Sequence, residues 1–415
     1  MTAGALHLRD RMRTRRWRVV GALSVTVTVS YGILYYAFAA FLVPMQRDLG
    51  VSAQQLTGAF SLGLLVSGVT GIAVGRHLDR HAAHGLMTAG SIAAALLVLA
   101  WSRVEGLVAL YALWLALGAV MATVLYEVAF TVLAKAFPEP AERRQAMTAM
   151  TLVGALASFV FVPLAQALID ALGWRDALVV LAAILAATTV PLHLAVLRLP
   201  PGSAAPPAPA PAPASAALAR DVLRSRPFWL LSAAFFLASI AAIAMTVHTI
   251  PFLLERGHGA AFAAFAVGLI GLSQLPGRIL FGPVTTRLPR PHATASVFAL
   301  MAAGVTVTVG VHATWAALAG LVLLGMGNGM ATLSRATAIA DLYGGAAYGT
   351  IAGVPAALTN LARAGGPFAA AVVAAAAGYD TLLWLLAALA GAAALLAFRA
   401  EAMEAARPPR SVPAA

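Results

Sequence analysis

The ten residues FLVPMQRDLG (41–50) and the ten residues HTIPFLLERG (248–257) share a pattern although they lie 207 positions apart. Each has a proline in its fourth position, an acid in its eighth and a glycine in its tenth. The same shift, or a slightly smaller one, aligns further residues: Gly75 with Gly282, Arg80 with Arg287, Pro163 with Pro367, and Gly173-Trp174 with Gly378-Tyr379. The pattern indicates an internal duplication.

The composition indicates a membrane protein. Apolar residues make up 61% of the 415 residues, charged residues make up 10%, and the mean hydropathy is +0.88. A soluble domain of this length would need far more polar surface. Twelve apolar stretches, called spans 1 to 12, are each long enough to cross a bilayer as a helix: 19–43, 56–78, 85–102, 106–134, 145–170, 174–197, 228–253, 260–283, 292–311, 315–341, 346–375 and 381–398. In lipid the backbone hydrogen bonds must close within each segment, so we predict an all-α membrane protein.

Basic residues are unevenly distributed over the loops. Arginines lie before span 1, in the loops after spans 2, 4, 6 and 8, and after span 12, whereas the other loops hold at most one each: Arg47, Arg103, Arg175 and Arg256. Cytoplasmic loops are enriched in arginine and lysine, so both termini of this multi-pass protein are expected in the cytoplasm. We expect the protein to lie in a plasma membrane, namely the inner membrane of a bacterium. Span 1 is expected to stay in the mature protein as a transmembrane helix and not to be cleaved as a signal peptide. The same distribution explains the formal charge of +12 without a nucleic-acid partner.

A proline- and alanine-rich segment, LPPGSAAPPAPAPAPASAALARD, separates spans 6 and 7. This composition favours an extended polyproline conformation without a packed core. We therefore predict a six-helix bundle at residues 1–198, a cytoplasmic linker at 199–222 and a second six-helix bundle at 223–415. Two similar bundles in the same membrane orientation imply a pseudo-twofold axis along the membrane normal, about which the halves can rock to open a central site to either side.

The loop between spans 2 and 3, GRHLDRHAAH (75–84), resembles a loop of the major facilitator superfamily that reads roughly G-x-L-x-D-R-x-G-R-K. A shorter copy, GPVTTR (282–287), stands at the equivalent place in the second half. The resemblance implies twelve transmembrane helices in two pseudo-symmetric six-helix bundles, and a gate on the cytoplasmic side. Glycine lets two helices approach closely, and the aspartate can pair with a helix N-terminus or an arginine in one state only; solvated loop charges are the alternative. The gating candidates are Gly75, Asp79, Arg80, Gly282 and Arg287.

Shorter motifs are similar to the monocarboxylate-transporter-like and oxalate/formate-antiporter-like branch of that superfamily. They are SYGILYYAFAAF in span 1, KAF followed by RRQA after span 4, GWR before span 6 and RILFG in span 8. This resemblance implies that Arg278, in RILFG, binds the substrate carboxylate. Gln274 stands where the branch often has an acid, and Tyr35 where some members have a lysine.

Charged side chains inside the spans are the next candidates, because each costs about 2.5–3.5 kcal/mol to insert. Arg278 in span 8 and Arg363 in span 11 are predicted to form a cationic site for an organic anion, since the guanidinium group suits a carboxylate. The AGGP sequence after Arg363 is expected to break or bend its helix. Glu127 in span 4 and Arg335 in span 10 lie at nearly equivalent depths, so they form either a salt bridge or a proton-coupling site.

Uncharged and histidine side chains complete the predicted substrate-binding set. His248 in span 7 is either a hydrogen-bonded packing residue or a substrate or proton contact. Tyr31 and Tyr35 share a face of span 1, where their hydroxyls line a cavity or anchor the helix at the membrane interface. Gln274 and Asn360 are further candidates.

These features together predict a secondary active transporter. No nucleophile–base grouping, phosphate loop or metal-ligand spacing is found, and cysteine is absent, so we expect no enzyme activity, no catalytic residues, no cofactor and no metal. The expected substrate is a small monocarboxylate-like organic anion, moved by rocker-switch alternating access with ion symport or exchange. The coupling ion is expected to be a proton, and the protein is expected to work as a monomer in the lipid bilayer. Two other functions stay open: efflux of lipophilic compounds or drugs, and a transport-dead sensor, which would need a signalling domain that the short tail after Phe398 does not offer.

Overall fold

Helices make up the secondary structure in the computed structural model, which describes residues 3–196, 212–345 and 347–406, and no strand occurs in these ranges. The elements of these ranges are α1 (Ala3–Tyr31), a π-helical turn (Gly32–Tyr36), α2 (Phe38–Leu49), α3 (Ala53–Arg80), α4 (Ala83–Trp101), α5 (Leu107–Val124), α6 (Tyr126–Ala136), α7 (Pro140–Gly154), α8 (Ala157–Leu172), α9 (Trp174–Val196), α10 (Ala212–Leu223), α11 (Arg226–Glu255), α12 (Ala260–Thr285), α13 (Arg290–Gly310), α14 (Thr314–Tyr343) and α15 (Tyr348–Ala405).

The long apolar helices match the predicted spans. Eleven segments of the described chain are long and apolar enough to cross a membrane. The last of them, α15, has 58 residues and is interrupted at Gly378, so it supplies two spans. Spans 1, 4 and 5 each consist of two consecutive helices, namely α1 and α2, α5 and α6, and α7 and α8. The predicted all-α membrane fold is confirmed.

Glycines form equivalent corners in the two halves. Gly50 and Gly257 have φ values of 64° and 82°, which end spans 1 and 7 in a left-handed conformation. Gly173 and Gly378 share φ values of 82° and 83° and ψ values of 162° and 166°, a region that is essentially limited to glycine. The glycine that recurs in the two decapeptides is therefore required by the backbone, because a Cβ would strain each corner.

Glycines also allow close helix packing at repeated positions. In α5, a Cβ on Gly118 would lie 2.1 Å from the carbonyl oxygen of Gly63 in α3. In α14, a Cβ on Gly325 would lie 2.4 Å from the carbonyl oxygen of Ile270 in α12. Ile270 and Gly325 lie 207 residues after Gly63 and Gly118, so the same contact recurs in the second half. The duplication therefore extends from the sequence to the helix packing. Backbone approach of this kind is how helices associate in lipid.

Internal contacts divide the chain into two units. The first holds the chain up to Ala216 together with Gly344–Gly353, and the second holds Ala217–Tyr343 and the chain from Val354. The segment Gly344–Gly353, which includes the first turns of α15, therefore packs with the first unit although it follows α14 in the chain.

Two local expectations were wrong. Ala212–Leu223, the end of the predicted polyproline linker, forms α10, because its alanines favour a helix and its one proline, Pro213, stands in the first turn, where a helix tolerates proline; residues 199–211 lie outside the described residues. The AGGP sequence does not break α15, whose non-helical residue is Gly378; a bend at this sequence, the other form of the expectation, stays a prediction. Membrane helices tolerate such sequences when neighbouring helices satisfy the freed backbone groups.

Candidate functional site

Asp79 caps a helix in the first unit. It is a buried residue in the last turn of α3, and its carboxylate accepts hydrogen bonds from the backbone N–H groups of Gly349 at 2.9 Å and Thr350 at 2.7 Å. These N–H groups lie in the first turn of α15, where a helix has no acceptors of its own. The negative carboxylate also faces the positive end of the α15 dipole. Of the two predicted kinds of partner, a helix N-terminus and an arginine, the structure places the helix N-terminus at Asp79.

Two glycines bring α3 and the start of α15 into direct backbone contact. A Cβ on Gly75 would lie 2.0 Å from the carbonyl oxygen of Gly349, and a Cβ on Gly349 would lie 2.4 Å from the carbonyl oxygen of Gly75. Contacts below 3.0 Å are essentially never seen for real Cβ atoms. The capping of α15 by Asp79, one helical turn further along α3, depends on this close approach.

Lys135 also lies at this cap. Its ammonium group is 3.9 Å from the Asp79 carboxylate and donates a hydrogen bond to the carbonyl oxygen of Leu78. It lies at the end of α6, where a cation is favoured by the helix dipole. The sequence analysis missed its role, although Lys135 is the first residue of the KAF motif.

The other predicted gating residues do not join this contact. Arg80 and Arg287 are exposed. A Cβ on Gly282 would have no described atom within 4 Å other than its own chain neighbours and helix backbone. Gly75 and Asp79 are therefore in contact with the start of α15, whereas Gly282 in the second-half copy is not packed in the same way.

Tyr31 and Tyr35 belong to a group of four tyrosines in the first unit. The ring centroid of Tyr31 lies 5.9 Å from Tyr35, 6.2 Å from Tyr36 and 4.6 Å from Tyr126. We call these four residues the tyrosine cluster. All four are half-buried. They lie near the middle of the spans Thr14–Leu49 and Leu107–Ala136 and not at the span ends, so the alternative of interfacial anchoring is not favoured.

Glu127 follows the cluster residue Tyr126 in the first turn of α6. Span 4 breaks at Leu125, whose ψ of −167° ends α5 and starts α6 in the middle of the span. The carboxylate of Glu127 is half-buried and lies at the N-terminal end of α6, where the dipole favours a negative charge. Its predicted salt bridge with Arg335 stays a prediction.

The two predicted anion-binding arginines are inside helices of the second unit. Arg278 in α12 is 6% exposed, and its Nη2 donates to the side-chain oxygen of Gln274, one turn earlier, at 3.4 Å. Arg363 is half-buried in α15, with Asn360 one turn before it. Arg335 is half-buried in α14. Each of these side chains is thus removed, in part or fully, from the surface.

His248 is a buried residue of α11, with 6% of its surface exposed. Its Nε2 lies 3.1 Å from the carbonyl oxygen of Pro367 in α15, and its ring centroid lies 5.9 Å from Tyr379. These contacts agree with a hydrogen-bonded packing residue. A substrate or proton contact for His248 stays a prediction.

In each unit, an arginine near the ends of the spans binds an acid and two backbone carbonyl oxygens, a contact that the sequence did not predict. Arg175 donates to Asp48 at 2.8 Å and to the carbonyl oxygens of Ser102 and Val104 at 2.9 and 3.0 Å. It ties the end of span 1, the end of span 3 and the start of span 6 together. We call this set the first clamp.

The second unit has an equivalent clamp with the charges exchanged. Arg256, after span 7, donates to Asp380 at 2.8 Å and to the carbonyl oxygens of Thr308 and Val309 at 3.4 and 2.8 Å. In the first unit the arginine is at the start of span 6 and the acid follows span 1; here the arginine follows span 7 and the acid directly precedes span 12. The aligned sequences hide this second clamp, because the arginine and acid have changed places.

These observations define a multi-span, duplicated helical membrane protein with charged groups inside its spans, which is the construction of a secondary transporter. The family model for the Major Facilitator Superfamily matches residues 23–367, and the chain belongs to that family. Members of the family are membrane carriers and not enzymes. The narrower monocarboxylate or oxalate/formate branch is not established by this match.

Solved structures share the fold. The human organic anion transporter MFSD10 has a TM-score of 0.72 at 18% identity, with 92% of this chain and 99% of that chain covered. The E. coli fucose:proton symporter FucP has a TM-score of 0.69 at 15% identity, covering 92% and 98%. A FucP structure in the outward conformation has the same TM-score at 16% identity and the same coverage. A comparison with curated protein sequences found no match.

Proposed function

We propose that the protein transports small organic anions of the monocarboxylate type by rocker-switch alternating access. The observation that carries the proposal is Arg278, an arginine that is 6% exposed inside a transmembrane span and has the neutral side chain of Gln274 as a hydrogen-bond partner. A buried arginine is expensive in a membrane, which makes it a functional candidate by default. Its planar fork of donors suits a carboxylate.

The remaining predicted residues are further candidates for substrate binding. Arg363 supplies the second positive charge, and Gln274 and Asn360 supply polar groups on the same helices. Tyr31, Tyr35 and His248 are further substrate contacts. Transport is driven by ion symport or exchange, because the sequence has no ATP-binding motif.

Glu127 is the proposed site of proton exchange. It is the half-buried acid of span 4, and its environment can change when the protein moves between states. We expect Glu127→Gln to retain exchange of labelled substrate but to lose accumulation driven by a pH gradient in proteoliposomes. Loss of both activities would instead favour the structural salt bridge with Arg335.

Asp79, Gly75 and Arg80 are the proposed cytoplasmic gate. Capping of α15 by Asp79 is a contact that forms in one state and breaks in another, with a cytoplasmic location set by the arginine distribution. The protein is proposed to act as a monomer in a bacterial inner membrane with both termini inside.

The names of the similar structures do not select the substrate, because one is an organic anion transporter and the other a fucose:proton symporter, and identities of 15–18% establish the fold alone. Efflux of lipophilic compounds is the second candidate, favoured by the half-buried acid Glu127, which follows the aromatic residue Tyr126 in the sequence.

A thermal-shift screen of the purified protein distinguishes organic-anion transport from efflux of lipophilic compounds. Acetate, lactate, benzoate and a lipophilic cation such as tetraphenylphosphonium are compared on wild type, Arg278→Gln and the control Arg103→Gln, which changes an exposed arginine of a loop. We expect carboxylates to raise the midpoint of wild type and of the control but not of Arg278→Gln. Stabilisation by the cation alone, or an unchanged carboxylate effect in Arg278→Gln, would contradict the anion proposal.

A further inference from the structure

We propose that the tyrosine cluster (Tyr31, Tyr35, Tyr36 and Tyr126) is a subsite for the flat aromatic ring of the substrate. This inference rests on the proposed transport of organic anions and narrows it, because aryl carboxylates would be preferred over aliphatic acids.

The π-helical turn is what gathers three of these rings on one side of span 1. In an α-helix, successive residues are about 100° apart, so Tyr36 would point about 140° away from Tyr31. The hydrogen bond from the Ala37 N–H to the Gly32 carbonyl, at 2.8 Å, closes a wider turn with one more residue. That extra residue brings Tyr36 back towards the face shared by Tyr31 and Tyr35. Single π turns of this kind occur frequently at functional sites.

Tyr126 joins the cluster because span 4 is interrupted at Leu125 and because α7 ends in a glycine beside it. A Cβ on Gly154 would lie 2.1 Å from the Tyr126 hydroxyl oxygen. Any other residue at position 154 would therefore push Tyr126 out of place. Spans 1, 4 and 5 are all discontinuous close to the cluster, at the π turn, at Leu125 and at Ala155–Leu156. Discontinuous helices near the middle of spans are typical of substrate sites in transporters.

The cluster has a packed side and an accessible side. On the packed side, the Tyr35 ring contacts Phe60, which stacks on the buried Phe38; Phe38 in turn packs against the buried rings of Trp101 and Trp114. The four tyrosines themselves remain half-exposed. Each of the four carries a phenolic hydroxyl, and the half-buried Glu127 follows Tyr126 on α6. A carboxylate and hydroxyls at mid-span are disfavoured against lipid, so the accessible side faces a polar space.

Four tyrosine rings at centroid distances of 4.6 to 6.2 Å offer both ring faces and ring edges. A flat aromatic group can stack on a face or meet an edge, whereas a saturated ring of the same size gains only apolar contact. One such aromatic contact corresponds to an affinity for the aromatic ligand that is about two- to tenfold higher than for the saturated ligand.

Binding of matched ligands to the purified full-length protein tests the subsite. Benzoate, cyclohexanecarboxylate and benzylamine are titrated by calorimetry into wild type, Tyr35→Leu, Tyr36→Leu, Tyr35→Phe and the control Tyr111→Leu, a tyrosine of the same unit outside the cluster. Thermal unfolding verifies that each variant is folded. We expect wild type to bind benzoate about two- to tenfold more tightly than cyclohexanecarboxylate. The two cluster leucine variants should lose this preference, and Tyr35→Phe and Tyr111→Leu should keep it.

The outcomes separate this subsite from the anion proposal. Equal binding of the two acids by wild type, or an unchanged preference in both leucine variants, would overturn the subsite and leave anion transport standing. Binding of benzylamine but of neither acid, with loss in the leucine variants, would support the ring subsite and overturn anion transport. Binding of none of the three ligands by wild type would overturn the subsite.

Discussion

Gly75 and Gly282 are equivalent in sequence but differ in packing, which gives a matched pair of substitutions. In Gly75→Ala the new Cβ would meet the Gly349 carbonyl oxygen at 2.0 Å, so α3 and α15 must separate. We expect a lower thermal midpoint, with a loss of about 1–3 kcal/mol, which is typical of overpacking. Gly282→Ala has open space and should change the midpoint little. Both are measured by thermal unfolding in detergent; equal effects at the two positions would contradict the packing difference.

Asp79 gives a second single-residue prediction. Asp79→Ala leaves the N–H groups of Gly349 and Thr350 without their acceptor, and we expect a loss of about 1–2 kcal/mol, as for other helix caps. Asp79→Asn keeps an oxygen acceptor but removes the charge near Lys135, so its loss should be smaller. If the cap belongs to a gate, Asp79→Ala should also increase the labelling of a cysteine placed at Thr350. Unchanged labelling together with lowered stability would assign Asp79 a purely structural cap.

The clamps join helices within each unit. We expect substitution of the clamp arginine to lower the stability more than substitution of the clamp acid. Arg175→Gln removes hydrogen bonds to the carbonyls that end span 3 as well as the ion pair, so we expect a loss of more than about 1 kcal/mol. Asp48→Asn removes a partly exposed ion pair, worth at most about 1 kcal/mol. The same order is expected for Arg256→Gln and Asp380→Asn in the second clamp.

A double-mutant cycle on chemical or thermal unfolding measures the coupling within each clamp, with Arg103→Gln as the exposed control. The ranking would be wrong if Asp48→Asn destabilised the protein as strongly as Arg175→Gln. In that case the ion pair, and not the bonds to the carbonyls, would hold the corner together.

The orientation of the protein in its membrane can be read by cysteine labelling, because the natural chain has no cysteine to remove. Ala82→Cys and Thr286→Cys occupy exposed positions after spans 2 and 8, and Arg103→Cys and His312→Cys occupy exposed positions after spans 3 and 9. We expect an impermeant maleimide to label the second pair in intact cells, and the first pair only after permeabilisation, because arginine-rich loops face the cytoplasm. The reverse pattern would place the proposed gate on the outer side.

The span positions and the duplication were visible in the sequence because they depend on local properties. A run of about 20 apolar residues must be helical in lipid wherever it lies in a fold. A glycine such as Gly173 or Gly378 is tied to its position by its own backbone angles. Asp79 also stood out, because GRHLDRHAAH (75–84) resembles a short family motif in which an aspartate holds this position.

Contacts between distant parts of the chain were decided by the tertiary structure. The sequence left the partner of Asp79 open, and Gly349 and Thr350 follow it by 270 and 271 positions. It did not reveal the clamps, because the arginine and acid exchange places between the halves. Of the break or bend that it predicted at Gly365–Pro367, α15 does not have the break, and the sequence gave no sign of the π turn that groups the tyrosines. Such features depend on which neighbours satisfy a backbone group or fill a gap, and no local pattern of residues contains that information.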